Sequence, residues 1–345
     1  MRDRLRRTIV SDKKKKPPAG RDHLTMADLA ELAGVSTITV SRALADSPLV
    51  NPGTREKVQG LARKHGYKLN VSARNLRLRR SHAVAVIVEM TPSPERTMAD
   101  PYPLALLGGI SQELTSAGYN VLLTTRQGEV DMAVQAADGL ILLGQGAHQD
   151  AVHIYDKVGL PMVVWGAAGV GGDRHIVVGS DNRHGGMSVA ERFVSIGRRH
   201  PVFIGNPDHP EMAQRQYGFV DELARHNIKP LLMRRADFTL ESGVQAVRSL
   251  HNRKVQFDAI FACSDLVAMG AIRALTELGQ SVPQDVSVIG YDDTPQAATF
   301  LPPLSTVRQN WQEGGVLLAR KVLGLLRGET VQSEMLPTAL VIRAT

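Results

Sequence analysis

From about residue 81 to the C-terminus the chain repeats one rhythm, a short apolar run followed by a longer amphipathic one. The runs at 83–88, 120–124, 139–143, 161–165, 201–204, 259–262 and 286–290 predict strands. Helical spacing lies between and after them, near 104–117, 184–197, 211–226, 241–252, 265–278 and 311–327. Strands that are apolar throughout, each followed by a helix, are what parallel sheets buried on both faces require. Roughly 265 residues of this pattern predict two doubly wound subdomains with a ligand cleft at the carboxyl ends of their strands. With aromatics at only 4%, an all-β sandwich is a poor alternative.

The first 80 residues are different. They hold 19 Lys and Arg against 7 Asp and Glu, which leaves 22 against 27 for the remainder of the chain. A basic head on a mildly acidic body is the charge distribution of a phosphate-backbone binder. Residues 1–24 read as a disordered basic arm closed by Pro17-Pro18-Ala19-Gly20; it could add non-specific DNA affinity or be an over-long start. The arm lacks the apolar stretch of a secretory signal, and no apolar run is long enough for a membrane span, so the expected compartment is the cytoplasm. A single cysteine, Cys263, excludes an internal disulfide and makes a thiolate metal site implausible. No cofactor is expected.

Between Thr25 and Tyr67 helices are predicted at about 26–33, 37–45 and 52–65. Asn51-Pro52 supplies a cap before a proline at the first helical position, and Gly66 follows as a C-terminal cap. Leu29, Ala33, Val35, Val40 and Ala43 occupy the facing positions of a helix-turn-helix. Ala30 is small where the helices cross, Gly34 permits a tight turn, and Ser36 can cap the second helix. Such a second helix lays its N-terminal residues on base edges in the major groove. Thr37, Ile38 and Arg42 are therefore the candidate readers, with Arg42 able to grip a guanine in bidentate fashion. Ser36, Thr39, Ser41 and Thr54 are placed for phosphates.

Ala33-Gly-Val-Ser-Thr-Ile-Thr-Val-Ser-Arg42, Thr54-Arg-Glu-Lys-Val58, Gly66-Tyr67 and Asn70-Val-Ser-Ala-Arg-Asn-Leu-Arg77 together resemble the LacI/GalR family of bacterial repressors. The resemblance implies a headpiece at 25–69 and, at 70–80, a hinge helix that orders on DNA in a dimer. Asn70, Arg74 and Arg77 would contact DNA there. Ala73 would enter the minor groove and Leu76 would wedge open a central base step. An apolar Leu76 amid Arg74, Arg77, Arg79 and Arg80 suits intercalation with phosphate clamping, although a plain basic linker has the same composition. Ala45-Asp46 stands where the family often carries an Asn, which leaves the outer operator contacts open.

The resemblance continues through Val178-Gly-Ser-Asp-Asn182, Gln214-Arg-Gln-Tyr-Gly-Phe219, Asp237-Phe-Thr-Leu-Glu-Ser-Gly243, Ile260-Phe-Ala-Cys-Ser-Asp265, Val282-Pro-Gln-Asp-Val286, Ile289-Gly-Tyr-Asp-Asp-Thr294 and Pro302-Pro-Leu-Ser-Thr-Val-Arg-Gln309. It implies a periplasmic-binding-protein-like effector and dimerisation domain over 81–345. One lobe would comprise about 81–180 plus 311–335, the other about 181–310 plus 336–345. Carried onto matching positions, the pocket residues would be Arg215, Phe238, Ser264, Asp292 and Gln309. Trp165 and Tyr102 are further candidate platforms, with core packing as the plain alternative for every aromatic and an ion pair as the alternative for Arg215 and Asp292. A guanidinium fork, a carboxylate that takes two hydroxyls and a flat apolar face suit a polyol. The first lobe departs from the family: Asp100-Pro101-Tyr102-Pro103 reads as a proline-rich loop, the helix after Thr125 is squeezed into about 129–137, and Gly166 stands where some family members have an acidic pocket residue.

Three classes compete. An enzyme would need a metal pair, Walker loop or nucleophile elbow, and none stands out. Gly144-Gln-Gly146 and Gly169-Val-Gly-Gly172 are simple turns, and Asp292-Asp293 should point apart. A transport-type sugar-binding protein would need a secretory signal and have no use for the headpiece; an architectural DNA binder would not need the α/β body. The reading is a transcription regulator, a repressor of carbohydrate-utilisation genes. It binds a near-palindromic double-stranded operator as a homodimer (or a tetramer) and answers to a carbohydrate effector, with a purine or other metabolite as the alternative.

Overall fold

The computed structural model describes residues 24–67, 81–90, 98–126, 132–169, 175–233 and 237–345. The chain divides near residue 80 into two compact units.

The first unit contains helices α1 (Met26–Ala33), α2 (Thr37–Leu44) and α3 (Pro52–Lys64). Thr25 and Asp28 form a reciprocal capping box at the start of α1: the Asp28 amide donates to the Thr25 hydroxyl at 3.3 Å and the Thr25 amide to the Asp28 carboxylate at 2.8 Å. Gly34 turns the chain at φ 67°, a region that costs glycine little. Ser36 then caps α2 by accepting from the Thr39 amide at 3.1 Å. Leu29, Ala30, Ala33, Val40, Ala43 and Val58 are among the few side chains of the core. So small a core buries little apolar surface, and polar ties supplement it. Arg55 donates to the carbonyls of Ser47 and Val50, and Gln59 donates to the Ala43 carbonyl and the Asp46 carboxylate.

Among its described residues the second unit holds two six-stranded sheets. The first is built from β1 (Ala83–Val88), β2 (Asn120–Thr125), β3 (Gly139–Leu143), β4 (Met162–Trp165), β5 (Ile176–Ser180) and β11 (Glu334–Leu336), in the order β11-β5-β4-β3-β1-β2. All its pairs are parallel. The second is built from β6 (Pro201–Ile204), β7 (Leu231–Met233), β8 (Ala259–Ala262), β9 (Ser287–Asp292), β10 (Ser305–Arg308) and β12 (Ala339–Val341), in the order β12-β10-β9-β8-β6-β7. Only β12 runs antiparallel there. The chain therefore passes from the first sheet to the second after β5, returns after β10, and passes across again between β11 and β12.

The principal flanking helices are α4 (Pro101–Ser116), α7 (Asn182–Ser195), α8 (Pro210–Arg225), α9 (Leu240–Asn252), α10 (Asp265–Glu277) and α12 (Trp311–Leu326); α5 (Met132–Gln135), α6 (Asp150–Asp156) and α11 (Pro295–Thr299) are short. Three helix pairs approach through reciprocal glycines. A Cβ on Gly186 of α7 would lie 2.0 Å from the Arg215 carbonyl oxygen, and one on Gly218 of α8 would lie 2.0 Å from that of Arg183. Gly243 and Gly270 play the same part for α9 and α10, as Gly109 and Gly315 do for α4 and α12. Any side chain at these crossings would force the backbones apart. Among the described residues no helix is long and apolar enough to cross a membrane.

Two expectations are corrected. Asp100-Pro101-Tyr102-Pro103 is the capped first turn of α4, not a loop: the Asp100 carboxylate accepts from the Tyr102 amide at 3.0 Å. Proline is tolerated there because first-turn amides have no partner within the helix. The strands β5, β7, β10, β11 and β12 were not expected from apolar runs; β7, β11 and β12 have only three residues each.

Candidate functional site

A cavity of about 490 Å³ lies between the two sheets and is lined from both, at the carboxyl ends of the strands. Trp165 closes β4, Ser180 closes β5 and Asp292 closes β9, while Ser264 stands just beyond β8. All seven residues proposed from the sequence, namely Tyr102, Trp165, Arg215, Phe238, Ser264, Asp292 and Gln309, line this one cavity.

Arg215 is buried on α8. Its Nε donates to Asn182 Oδ1 at 2.8 Å, its Nη1 donates to the Cys263 carbonyl at 2.6 Å, and its guanidinium carbon lies 3.6 Å from the Tyr291 ring centre. Asn182 is itself steadied by donating to the Ser180 carbonyl at 3.0 Å. A planar cation stacked on an aromatic face and fixed at two donors is held in one orientation. The hydrogen-bonded anchors of Arg215 are thus an amide and a carbonyl, while Asp292 feels its charge.

Asp292 ends β9 at φ 125° and Asp293 follows it at φ 55°, and this turn sends their carboxylates apart. Asp293 pairs with Arg308 at 2.6 Å and Arg343 at 2.5 Å. Burial raises its carboxyl, but the two arginines outweigh that and hold it below the ordinary range. Asp292 is half-buried and accepts from Gln309 Nε2 at 2.7 Å. Burial pushes its carboxyl well above the ordinary range against the pull of Arg215. Behind it Asp265 is fully buried. It accepts from the Thr306 hydroxyl at 2.6 Å and from the Thr294 amide at 2.7 Å and hydroxyl at 3.0 Å, yet burial still lifts it to about 6.

The aromatic platforms are unequal. Trp165 lines the cavity but is only 4% exposed and belongs to the core of the first lobe. Tyr102 is half-buried with its ring centre 5.7 Å from that of Trp311, and Phe238 is half-buried 5.7 Å from His209. Ser264 spends its hydroxyl as the cap of α10, 3.4 Å from the Val267 amide.

Several lining residues were not singled out from the sequence: Glu89, Asp100, Gln145, Asn182, His209 and Glu211. Gln145 explains Gly166. Its amide both accepts from the Ala167 amide at 2.8 Å and donates to the Ala167 carbonyl at 3.1 Å. A Cβ at position 166 would come within 2.5 Å of the Gln145 side chain. Glu211 stands four residues before Arg215 on α8, a spacing that brings the two onto one helix face; this was the available signal. Cys263 is buried beside Arg215, with its thiol pushed up to about 12, mainly by burial. Among the described residues no group of three His, Cys, Asp or Glu could hold a metal ion.

In the first unit, Thr37, Ile38 and Arg42 are exposed on α2, with Ile38 at 58%, while Val40 and Ala43 are buried on the opposite face. Ser36 is exposed and shares a 2.9 Å hydroxyl contact with Thr39. Thr39, Ser41 and Thr54 are half-buried. Asn70, Ala73, Arg74, Leu76 and Arg77 lie outside the described residues.

Comparison with known proteins sorts these observations. Residues 25–70 match the family model described as "Bacterial regulatory proteins, lacI family", and residues 190–345 match a "Periplasmic binding protein-like domain". The HTH-type transcriptional regulator CelR of Thermobifida fusca is 32% identical over 332 residues, which cover 92% of this chain and 97% of that protein. Among solved structures, the lac repressor dimer bound to operator and the anti-inducer ONPF superimposes with a TM-score of 0.79 at 27% identity, covering 94% of this chain and 99% of the other. A transcriptional regulator CelR–cellobiose complex gives a TM-score of 0.67 at 30% identity, covering 93% and 99%.

Proposed function

Because this chain belongs to the LacI family of bacterial transcription regulators and carries the family's DNA-binding domain, we propose that it is a repressor whose grip on its operator is set by a carbohydrate held between the two lobes. The observation that carries this reading is the convergence of Arg215, Phe238, Asp292 and Gln309 on one inter-lobe cavity of about 490 Å³. That volume lies within the usual range of small-molecule sites. A stacked guanidinium, a carboxylate and an amide are the groups that sort hydroxyls by direction.

On this reading the protein is a cytoplasmic homodimer with no enzymatic activity. Each protomer lays α2 in the major groove of one half of a near-palindromic operator, with Thr37, Ile38 and Arg42 toward the bases and Ser36, Thr39, Ser41 and Thr54 toward phosphates. Residues 70–80 serve as the hinge, through which Asn70, Ala73, Arg74, Leu76 and Arg77 touch the operator centre. Ligand that prefers one lobe-to-lobe angle couples to DNA by a free energy of about 1–3 kcal/mol, and the coupling is reciprocal. The solved lac repressor dimer on its operator and the CelR–cellobiose complex, as relatives, support both halves of the proposal.

The test is a thermal-shift panel of mono- and disaccharides and nucleobases on the purified chain, followed by operator binding with any ligand that stabilises it. A sugar that raises the melting temperature and changes operator affinity is the expected result. Stabilisation by nucleobases alone would move the effector to another class, and hydrolysis of a panel sugar would overturn the assignment as a regulator without enzymatic activity.

A further inference from the structure

Resting on the carbohydrate reading above, the cavity wall narrows the ligand further. Among the described residues five carboxyl side chains line it, those of Glu89, Asp100, Glu211, Asp237 and Asp292, and Arg215 is the sole Lys or Arg of the described lining. The five are not equivalent. Glu89 is paired with Arg126 at 3.2 Å, Asp100 serves as the cap of α4, and Asp237 is exposed. Glu211 and Asp292 remain, both half-buried and both acting electrostatically on, or acted on by, the same guanidinium. Two donors of that guanidinium already serve Asn182 and Cys263.

Among the described residues, a carboxylate or phosphate entering this space would share one partly committed arginine with two resident acids. Like charges brought together where water is scarce repel strongly. A hydroxyl group meets no such obstacle, because a carboxylate accepts from it, and an ammonium gains outright. We infer that the cavity selects by charge: it accepts uncharged or amine-bearing polyhydroxylated ligands, rejects their carboxylate and phosphate derivatives, and Glu211 sets the choice.

The experiment is titration calorimetry of the full chain with matched sets built on the gluco, galacto and manno skeletons: parent sugar, 2-amino sugar, uronate and 6-phosphate. Within any skeleton that binds, the uronate and phosphate are expected to be weaker than the parent by about 100-fold or more, and the amine at least as tight as the parent. Glu211→Gln should narrow the parent-to-uronate gap by about tenfold. A uronate or phosphate within about threefold of its parent overturns charge selection while leaving the carbohydrate reading intact. Rejection of anions that is unchanged in Glu211→Gln overturns the role of Glu211. The absence of binding by any sugar of any charge brings down the carbohydrate reading and this inference with it.

Discussion

The Gln309 side-chain amide donates to the Asp292 carboxylate across 2.7 Å, which ties the segment leading from β10 to α12 to an acid at the end of β9. Asp292 thus faces the cavity and holds a segment that crosses between lobes. Asp292→Ala is expected to leave operator affinity within about twofold of the parent protein, because the headpiece is untouched. The same variant should lose the ligand response. Operator titrations with and without the stabilising sugar check both halves, and a preserved response would remove Asp292 from the site.

Trp165 and Gly314 are a matched pair. A Cβ on Gly314 would fall 2.2 Å from the Trp165 ring, and that ring is packed in the first-lobe core. Gly314→Ala should therefore cost about 1–3 kcal/mol of stability through overpacking, seen as a melting point lower by several degrees. Recovery in the double variant Gly314→Ala, Trp165→Phe would show that the cost arises at this contact.

On the DNA side, Arg42→Ala should weaken operator binding by about 1–3 kcal/mol, with a much smaller effect on random duplex. Leu76→Ala, a prediction that rests on the sequence alone, should likewise weaken specific binding far more than non-specific binding. Fluorescence anisotropy on operator and scrambled duplexes at one salt concentration measures both, and equal losses on the two would refute base reading at position 42 and the wedge at position 76.

Asp293 gives a pH test with a defined sign. Its pairs with Arg308 and Arg343 hold its folded-state carboxyl below the ordinary 3.8. The stability it contributes is full above that unfolded value and is lost as pH falls through the lowered folded one. Asp293→Asn should be less stable than the parent near neutral pH, and the gap should close in acid below about 3.8. Denaturant midpoints from neutral to acid pH check it; a constant gap would mean that packing and not charge accounts for the loss.

The helix-turn-helix was legible in the sequence because caps, a turn glycine and small facing residues are local signals, and α1, α2 and α3 fall within a residue of the spacing-based expectation. The parallel strands β1, β2, β3, β4, β6, β8 and β9 were legible as apolar runs for the same reason, whereas β5 and β10 were not. What was not legible depends on distant neighbours. The strands β7, β11 and β12 are too short to carry a period. Nothing in the segment of Trp165 reveals that Gly314, on a helix far along the chain, receives its ring. Gly166 looked like a missing acid until Gln145 was seen to fill its place. Glu211 was passed over since its meaning comes only from sharing a cavity with Arg215 and Asp292.

The account stands most directly on one measurement: operator affinity of the full chain as a function of the concentration of the sugar that stabilises it. If the cavity and the headpiece are two ends of one regulator, the operator dissociation constant moves by about 5- to 150-fold between the ligand-free and saturated protein, and operator shifts sugar affinity by the same factor. A sugar that saturates the cavity and leaves operator affinity unchanged would contradict it.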